Sequence, residues 1–221
     1  MTQRSLVLAA AVLLVGYGIL LVTLANTMSP EAAERLFSEE GWFEDLSAVL
    51  WFGLALVILL ARPVALVKRI GMAVVAAALA AREEGWHKAF TADSLFKTDY
   101  YQMSGVPLVE KVIAGLVAVG LTITLIWLLV AGGRQLFGRG GWRRPWGWVA
   151  IAGVGIAPML KIIDRAPSIL RQRFDLVLPE HVGTVMKALE EGFETVLPML
   201  FLLALFLFLA DKRDADGQSL R

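Results

Sequence analysis

The chain has 221 residues, 57% of them hydrophobic, a formal net charge of +1 and no cysteine. So much apolar surface, gathered into long runs, exceeds what one water-soluble core can hide and assigns the runs to lipid. Without cysteine there are no disulfides, thiolate metal sites, iron–sulfur clusters or cysteine nucleophiles. The basic residues stand in short clusters between apolar runs instead of along one face, which argues against a nucleic-acid surface.

A helix crossing the hydrocarbon core needs about 20 mainly apolar residues, and six runs approach that length: 5–26, 44–61, 69–86, 106–131, 146–163 and 185–210. The first stays uncharged from Ser5 to Met28, longer than a signal-peptide core, and reads as a retained helix. After it, Ser29-Pro30-Glu31 has the form of a helix start, with Ser29 as cap and Ala33, Leu36 and Phe37 on one side, so a short surface helix is expected. Glu44 and Asp45 open the second run, and Arg82-Glu83-Glu84-Gly85-Trp86-His87 closes the third. Tyr100-Tyr101 fits an interfacial aromatic pair whose phenols can donate to nearby acids. Glu110-Lys111 and Asp164-Arg165 read as interfacial anchors. The fifth run contains Pro158, so it and the short third run are the two that a re-entrant path would suit. Pro167 to Leu178 mixes Ile169, Leu170 and Phe174 with Arg171, Arg173 and Asp175, as a segment in the headgroup plane would.

The expected fold is therefore an all-α integral membrane protein: one transmembrane domain over 1–221, a bundle of six transmembrane helices with short interfacial helices in the outer loops. Arg4, then Arg62, Lys68 and Arg69, then Arg134, Arg139, Arg143 and Arg144, then Lys212 and Arg213 crowd one set of short connections. That density puts both termini in the cytoplasm. Trp142, Trp146 and Trp148 would form an aromatic belt on that side, with Trp42 and Trp86 at the other interface.

On the outer side, carboxylates from three helices converge at one depth: Glu44 and Asp45, Glu83 and Glu84, and Glu190, Glu191 and Glu194, with Glu190-Glu191 expected to open the exposed half of the sixth helix. Glu84 and His87 are three apart and Glu83 and His87 four apart, so at least one carboxylate shares a helical face with the imidazole. Bundle-core metal sites use such a Glu-x-x-His pair with single glutamates from neighbouring helices. The candidate ligand set is Glu44, Glu84, His87, Glu191 and Glu194, with Asp45, Glu83, Glu190 and His181 completing the polar cluster. Hard oxygen donors and one or two imidazoles suit Zn, Mn or Fe. A metal-dependent enzyme acting on a lipid-like or small-molecule substrate at the interface would follow from that site. Acids favour helix N-termini in any protein, by roughly 0.3–1 kcal/mol, which is the plain explanation for Glu44, Asp45, Glu190 and Glu191; it does not extend to Glu83 and Glu84 at a C-terminal end. Two other readings use the same residues. One is a proton or ion pathway, disfavoured by the scarcity of deeper polar groups. The other is a non-catalytic assembly subunit, in which the small-residue run Ala73 to Ala81 packs on a partner, on a second copy or within the bundle. Nucleotide-binding, serine-hydrolase and zinc-protease motifs are absent.

The block Arg82-Glu83-Glu84-Gly85-Trp86-His87-Lys88-Ala89-Phe90-Thr91, with Lys97-Thr98-Asp99-Tyr100-Tyr101 and Pro107-Leu108-Val109-Glu110-Lys111, resembles a group of small uncharacterised multi-pass bacterial inner-membrane proteins. The resemblance implies a bacterial cytoplasmic membrane and a shared outer-face segment around Glu83 and His87, and it implies no particular activity.

Overall fold

The computed structural model describes residues 2–38, 41–62, 64–86 and 91–218, and among these every regular element is helical. Helix α1 (Gln3–Thr27) starts at Thr2, whose Oγ1 accepts from the Ser5 amide at 3.2 Å. It is apolar all round, and only Leu21 and Ala25 are buried. Such a helix belongs in lipid. Helix α2 (Pro30–Phe37) begins as its sequence predicts, with the Ser29 hydroxyl accepting from the Ala32 amide and Pro30 in the first turn. It does not merely lie on a surface. Ala33 and Phe37 pack against Leu21, Ala25 and Ala188, and the Phe37 ring stacks on Phe43 at 5.5 Å.

Helices α3 (Trp42–Leu60) and α4 (Leu66–Glu83) pack on each other along a shared face. Ala73, Ala76 and Ala80 of α4 meet Trp51, Leu54, Ala55 and Ile58 of α3. The alanines let the two backbones approach closely, which is how helices associate where lipid removes the hydrophobic drive. The small-residue run is thus used within the bundle. A short helix α5 (Thr98–Gln102) holds the fully buried Tyr100, whose hydroxyl donates to Glu110 at 2.8 Å. Helix α6 (Leu108–Gly133) is peripheral: it buries only Ala114 and leans on α4, where Trp127 covers Gly71.

Helix α7 (Pro145–Phe174) runs unbroken through Pro158 and Pro167. The stretch expected to lie flat in the headgroup plane is therefore the end of this helix as far as Phe174. It stops at Asp175, which adopts the left-handed conformation while the Leu176 amide bonds the Leu170 carbonyl at 3.2 Å, a common way to end a helix. Trp146 is likewise not a belt residue: it is buried among Val149, Leu200, Ala204 and Leu207, while Trp142 and Trp148 stay exposed. Helix α8 (Glu180–Gln218) is the axis of the bundle, touching α1, α2, α3 and α7.

Among the described residues, five helical stretches, those containing α1, α3, α6, α7 and α8, are long and apolar enough to cross a membrane. Exposed side chains such as Leu13, Val15, Leu56, Leu116 and Ile162 cover their outward faces, the apolar surface a bilayer accepts. Helix α4 is shorter, 18 residues, and carries Lys68, Arg69, Arg82 and Glu83 at its ends.

One close approach fixes the arginine-rich end. A Cβ on Gly147 would run into the Gly141 carbonyl, backbone against backbone, whereas one on Gly155 of the same helix would meet nothing. Overpacking of this kind costs about 1–3 kcal/mol. Gly147→Ala is expected to lower the free energy of unfolding in detergent by that amount, with Gly155→Ala neutral or slightly stabilising; equal stabilities for the two variants would show that the turn yields freely.

Candidate functional site

The buried face of α4 recurs at Ala73, Ala76, Ala80 and then Glu83. Because the alanines draw that face against α3, the helix delivers the Glu83 carboxylate inward and turns Glu84, its capping residue, outward. Helix α8 does the same with Ala188, Glu191, Thr195 and Pro198, all buried. Helix α3 contributes Glu44 in its first turn and Ser47 one turn deeper. Three helices so arranged bring five carboxylates, those of Glu44, Glu83, Glu190, Glu191 and Glu194, within electrostatic reach of one another.

The balance of charge there is lopsided. Glu83 and Glu191 are each only 9% exposed, and the strongest charges acting on Glu191 are all carboxylates: Glu194, Glu190, Glu44 and Glu83. Arg82 supplies a positive charge, its guanidinium 3.6 Å from Glu194. It also acts on Glu83 and, with Lys161, on Glu190. Lys161 in turn pairs with Asp164 on α7. Burying a carboxylate requires a compensating cation, proton or donor, and among the described residues both Arg82 and Lys161 act on this set.

Beneath the carboxylates lies a hydroxyl layer. The Thr195 hydroxyl lies 3.1 Å from the Phe43 carbonyl and 3.0 Å from that of Glu191, either of which it can donate to, and so ties α8 to the start of α3. Ser47, one helical turn on from Phe43, is 1% exposed, and its Oγ has no hydrogen-bond partner among the described residues. Buried hydroxyls are nearly always satisfied, which sets this one apart, one turn from Glu44. Deeper still the bundle closes with Trp51, Leu54, Leu160 and Leu197, and the Trp51 ring lies 5.9 Å from that of Phe201.

Of the residues singled out from the sequence, Glu44, Glu83, Glu190, Glu191 and Glu194 come together. Asp45, Glu84 and His181 are exposed, and His87 lies outside the described residues. Glu190 and Glu191 do not open a helix, since α8 already starts at Glu180; the helix-dipole explanation, which holds only for the first turn, therefore does not apply to them. Sequence reasoning passed over Ser47 and Thr195, although each stands three or four residues after a pocket acid, the spacing that puts a hydroxyl on the same face one turn deeper. Asp164, read with Arg165 as an interfacial anchor, pairs with it at 3.7 Å and also with Lys161, and both Asp164 and Lys161 lie within electrostatic reach of Glu190. Among the described residues, no three His, Cys, Asp or Glu side chains are already arranged to hold a metal ion. No protein-family model, curated protein or solved structure matches the chain, so the site's chemistry has to be argued from these residues alone.

The Arg82–Glu194 contact is open to a double-mutant cycle with Arg82→Met and Glu194→Gln. Arg82 is half-exposed, so the coupling energy should be modest, about 0.5–1 kcal/mol. Arg82→Met alone is expected to destabilise the folded protein in detergent, and Glu194→Gln in that background to recover part of the loss. Strict additivity would mean that the guanidinium does not neutralise the cluster.

Proposed function

We propose that this chain is a bacterial inner-membrane protein of six crossing helices whose carboxylate pocket binds a divalent cation. The observation that carries the reading is the Glu191 carboxylate, buried with four other carboxylates as its strongest charged neighbours. A cation seated among Glu44, Glu83, Glu191 and Glu194 would offset the mutual repulsion of their carboxylates. His87, three residues beyond Glu84, is the nearest imidazole in the sequence that could add a nitrogen donor. Hard oxygens with an imidazole suit Zn, Mn or Fe.

Six crossings follow from counting α4 with the five longer stretches. Its 18 residues span about 27 Å, close to the hydrocarbon thickness, and its terminal Lys and Arg side chains can reach the headgroups from there. It also packs along α3, itself long enough to cross. An even number of crossings returns both termini to the side of the arginine-rich connections, the cytoplasm by the usual charge bias. The carboxylate pocket then sits at the outer headgroups, where a cation-activated water would meet a lipid-like substrate. The apolar layer of Trp51, Leu54, Leu160 and Leu197 under the pocket favours such a closed binding site over a path through the bundle.

Manganese binding to the purified full-length protein, followed by electron paramagnetic resonance, tests the proposal. The wild type should bind, Glu83→Gln and Glu191→Gln should bind at least about tenfold more weakly, and Asp45→Asn, at an exposed acid, should match the wild type. His87→Ala should weaken binding as well. Manganese affinity no higher in the wild type than in Glu191→Gln would overturn the proposal.

A further inference from the structure

The end of the bundle away from the carboxylates carries the reverse charge. Along α8, Leu207 lies about 24 Å from Glu191, and there the turn between α6 and α7 holds Arg134, Arg139, Arg143 and Arg144 with no acid among them. The turn is tightly built. A π-helical stretch, Arg134–Gly138, continues α6 and is closed by the Arg139 amide on the Arg134 carbonyl at 3.1 Å. Gly140 then reverses the chain in the left-handed conformation, and a 3₁₀ turn, Gly141–Arg143, leads into α7. The Trp146 ring covers Gly141, where a Cβ would run into it, and is itself buried against Leu200, Ala204 and Leu207 of α8. The arginines are thus carried on a backbone packed against the core.

Their guanidiniums differ in what they meet. Arg144 pairs with Asp211 at 3.1 Å. Arg143 lies over the Trp142 ring at 4.9 Å, and Arg139 reaches the neutral Gln135 side chain at 3.5 Å. Arg134, Arg139 and Arg143 are exposed, and among the described residues none of them pairs with a carboxylate. Val7 of α1 and Phe208 of α8 also pack on the Trp146 cluster, so Arg4 and Lys212, each about one turn away, add to the same end, and Asp211 and Asp214 offset only part of the charge. Exposed aromatic rings, those of Phe137, Trp142 and Trp148, stand among the arginines. Guanidinium forks match phosphate oxygens in pairs, and aromatic rings beside them suit the level where acyl chains meet headgroups. A soluble polyanion would use the charge and leave the rings in water. An anionic lipid uses both.

From this we infer that the turn is a binding site for anionic phospholipid, its phosphate taken by Arg134, Arg139 and Arg143 and its upper acyl chains lying against Phe137, Trp142 and Trp148. A backbone already held by Trp146 and Gly141 lowers the ordering cost of such binding.

The experiment uses full-length protein in nanodiscs of equal parts phosphatidylglycerol and phosphatidylcholine at about 0.15 M salt, with protein-bound lipid counted by native mass spectrometry. Both leaflets of the disc have one composition, so the result does not depend on which way the chain crosses a cell membrane. The wild type should retain phosphatidylglycerol at least about tenfold over phosphatidylcholine, as expected of several charge-assisted contacts to one headgroup. Arg139→Gln with Arg143→Gln, both at exposed positions, should bring the two lipids within about twofold of each other. Arg171→Gln with Arg173→Gln removes the same charge from exposed positions near the end of α7 remote from the turn and should leave the preference at the wild-type value. No preference in the wild type, a preference that survives the Arg139 and Arg143 changes, or an equal fall in the Arg171 and Arg173 variant would overturn the inference, the lipid then responding at most to overall charge.

Discussion

Carboxylates buried on the axis helix set the terms for everything around them. Glu191 lies on the face of α8 that also carries Ala188, Thr195 and Pro198, a face that would be wholly apolar in a helix built only to pack. In lipid the penalty for an uncompensated charge is several kcal/mol, and no single neighbour removes it. The helices answer collectively: α4 ends where Arg82 can reach Glu194, α7 brings Lys161 close to Glu190 and Glu83, and α3 starts where the Phe43 carbonyl can take a hydrogen bond from Thr195. Each contact positions a helix end. The register of α3, α4 and α7 against α8 is thus tied to the electrostatics of one layer.

Away from that layer, packing follows size. Leu21 sits over Gly192, Phe201 over Gly153 and Trp127 over Gly71, so at each of these crossings a large side chain covers a residue that has none. With no hydrophobic gain from leaving lipid, close backbone approach and dispersion are what hold helices together. This division of labour explains why α6, which offers the bundle little besides Trp127 and Ala114, stays peripheral.

How far the sequence reveals this depends on which signal carries the information. Apolar runs long enough to cross a bilayer stand out by composition, and the start of α2 follows from Ser29-Pro30. The convergence of Glu44, Glu83, Glu190, Glu191 and Glu194 was also legible, because antiparallel helices of similar length return their ends to one level. What periodicity could not decide was rotation. Glu83 and Glu84 are neighbours about 100° apart on the helix, and choosing the buried one requires knowing that Ala73, Ala76 and Ala80 form the contact with α3. Helix ends marked by proline misled in the other direction. Pro158 and Pro167 suggested breaks, yet α7 passes through both, since lipid-embedded helices tolerate proline when neighbours satisfy the freed groups.

Pro198 connects the two aspects of the fold. It is fully buried inside α8 and has no amide hydrogen, so the carbonyl four residues earlier, that of Glu194, loses its usual helical donor. The affected residue is the one whose side chain takes Arg82. Glu194 therefore brings a carboxylate and a helix carbonyl without its normal partner to the same level of the bundle, one turn from the Thr195 hydroxyl and close to the layer that contains the orphan Ser47 Oγ. Oxygen atoms left without donors in a low-dielectric setting attract a cation or a water more strongly than the same atoms would in solvent. Trp51, Leu54 and Leu197 pack as an apolar layer below these oxygens, so the polar groups of the bundle are confined to the acidic end of these helices.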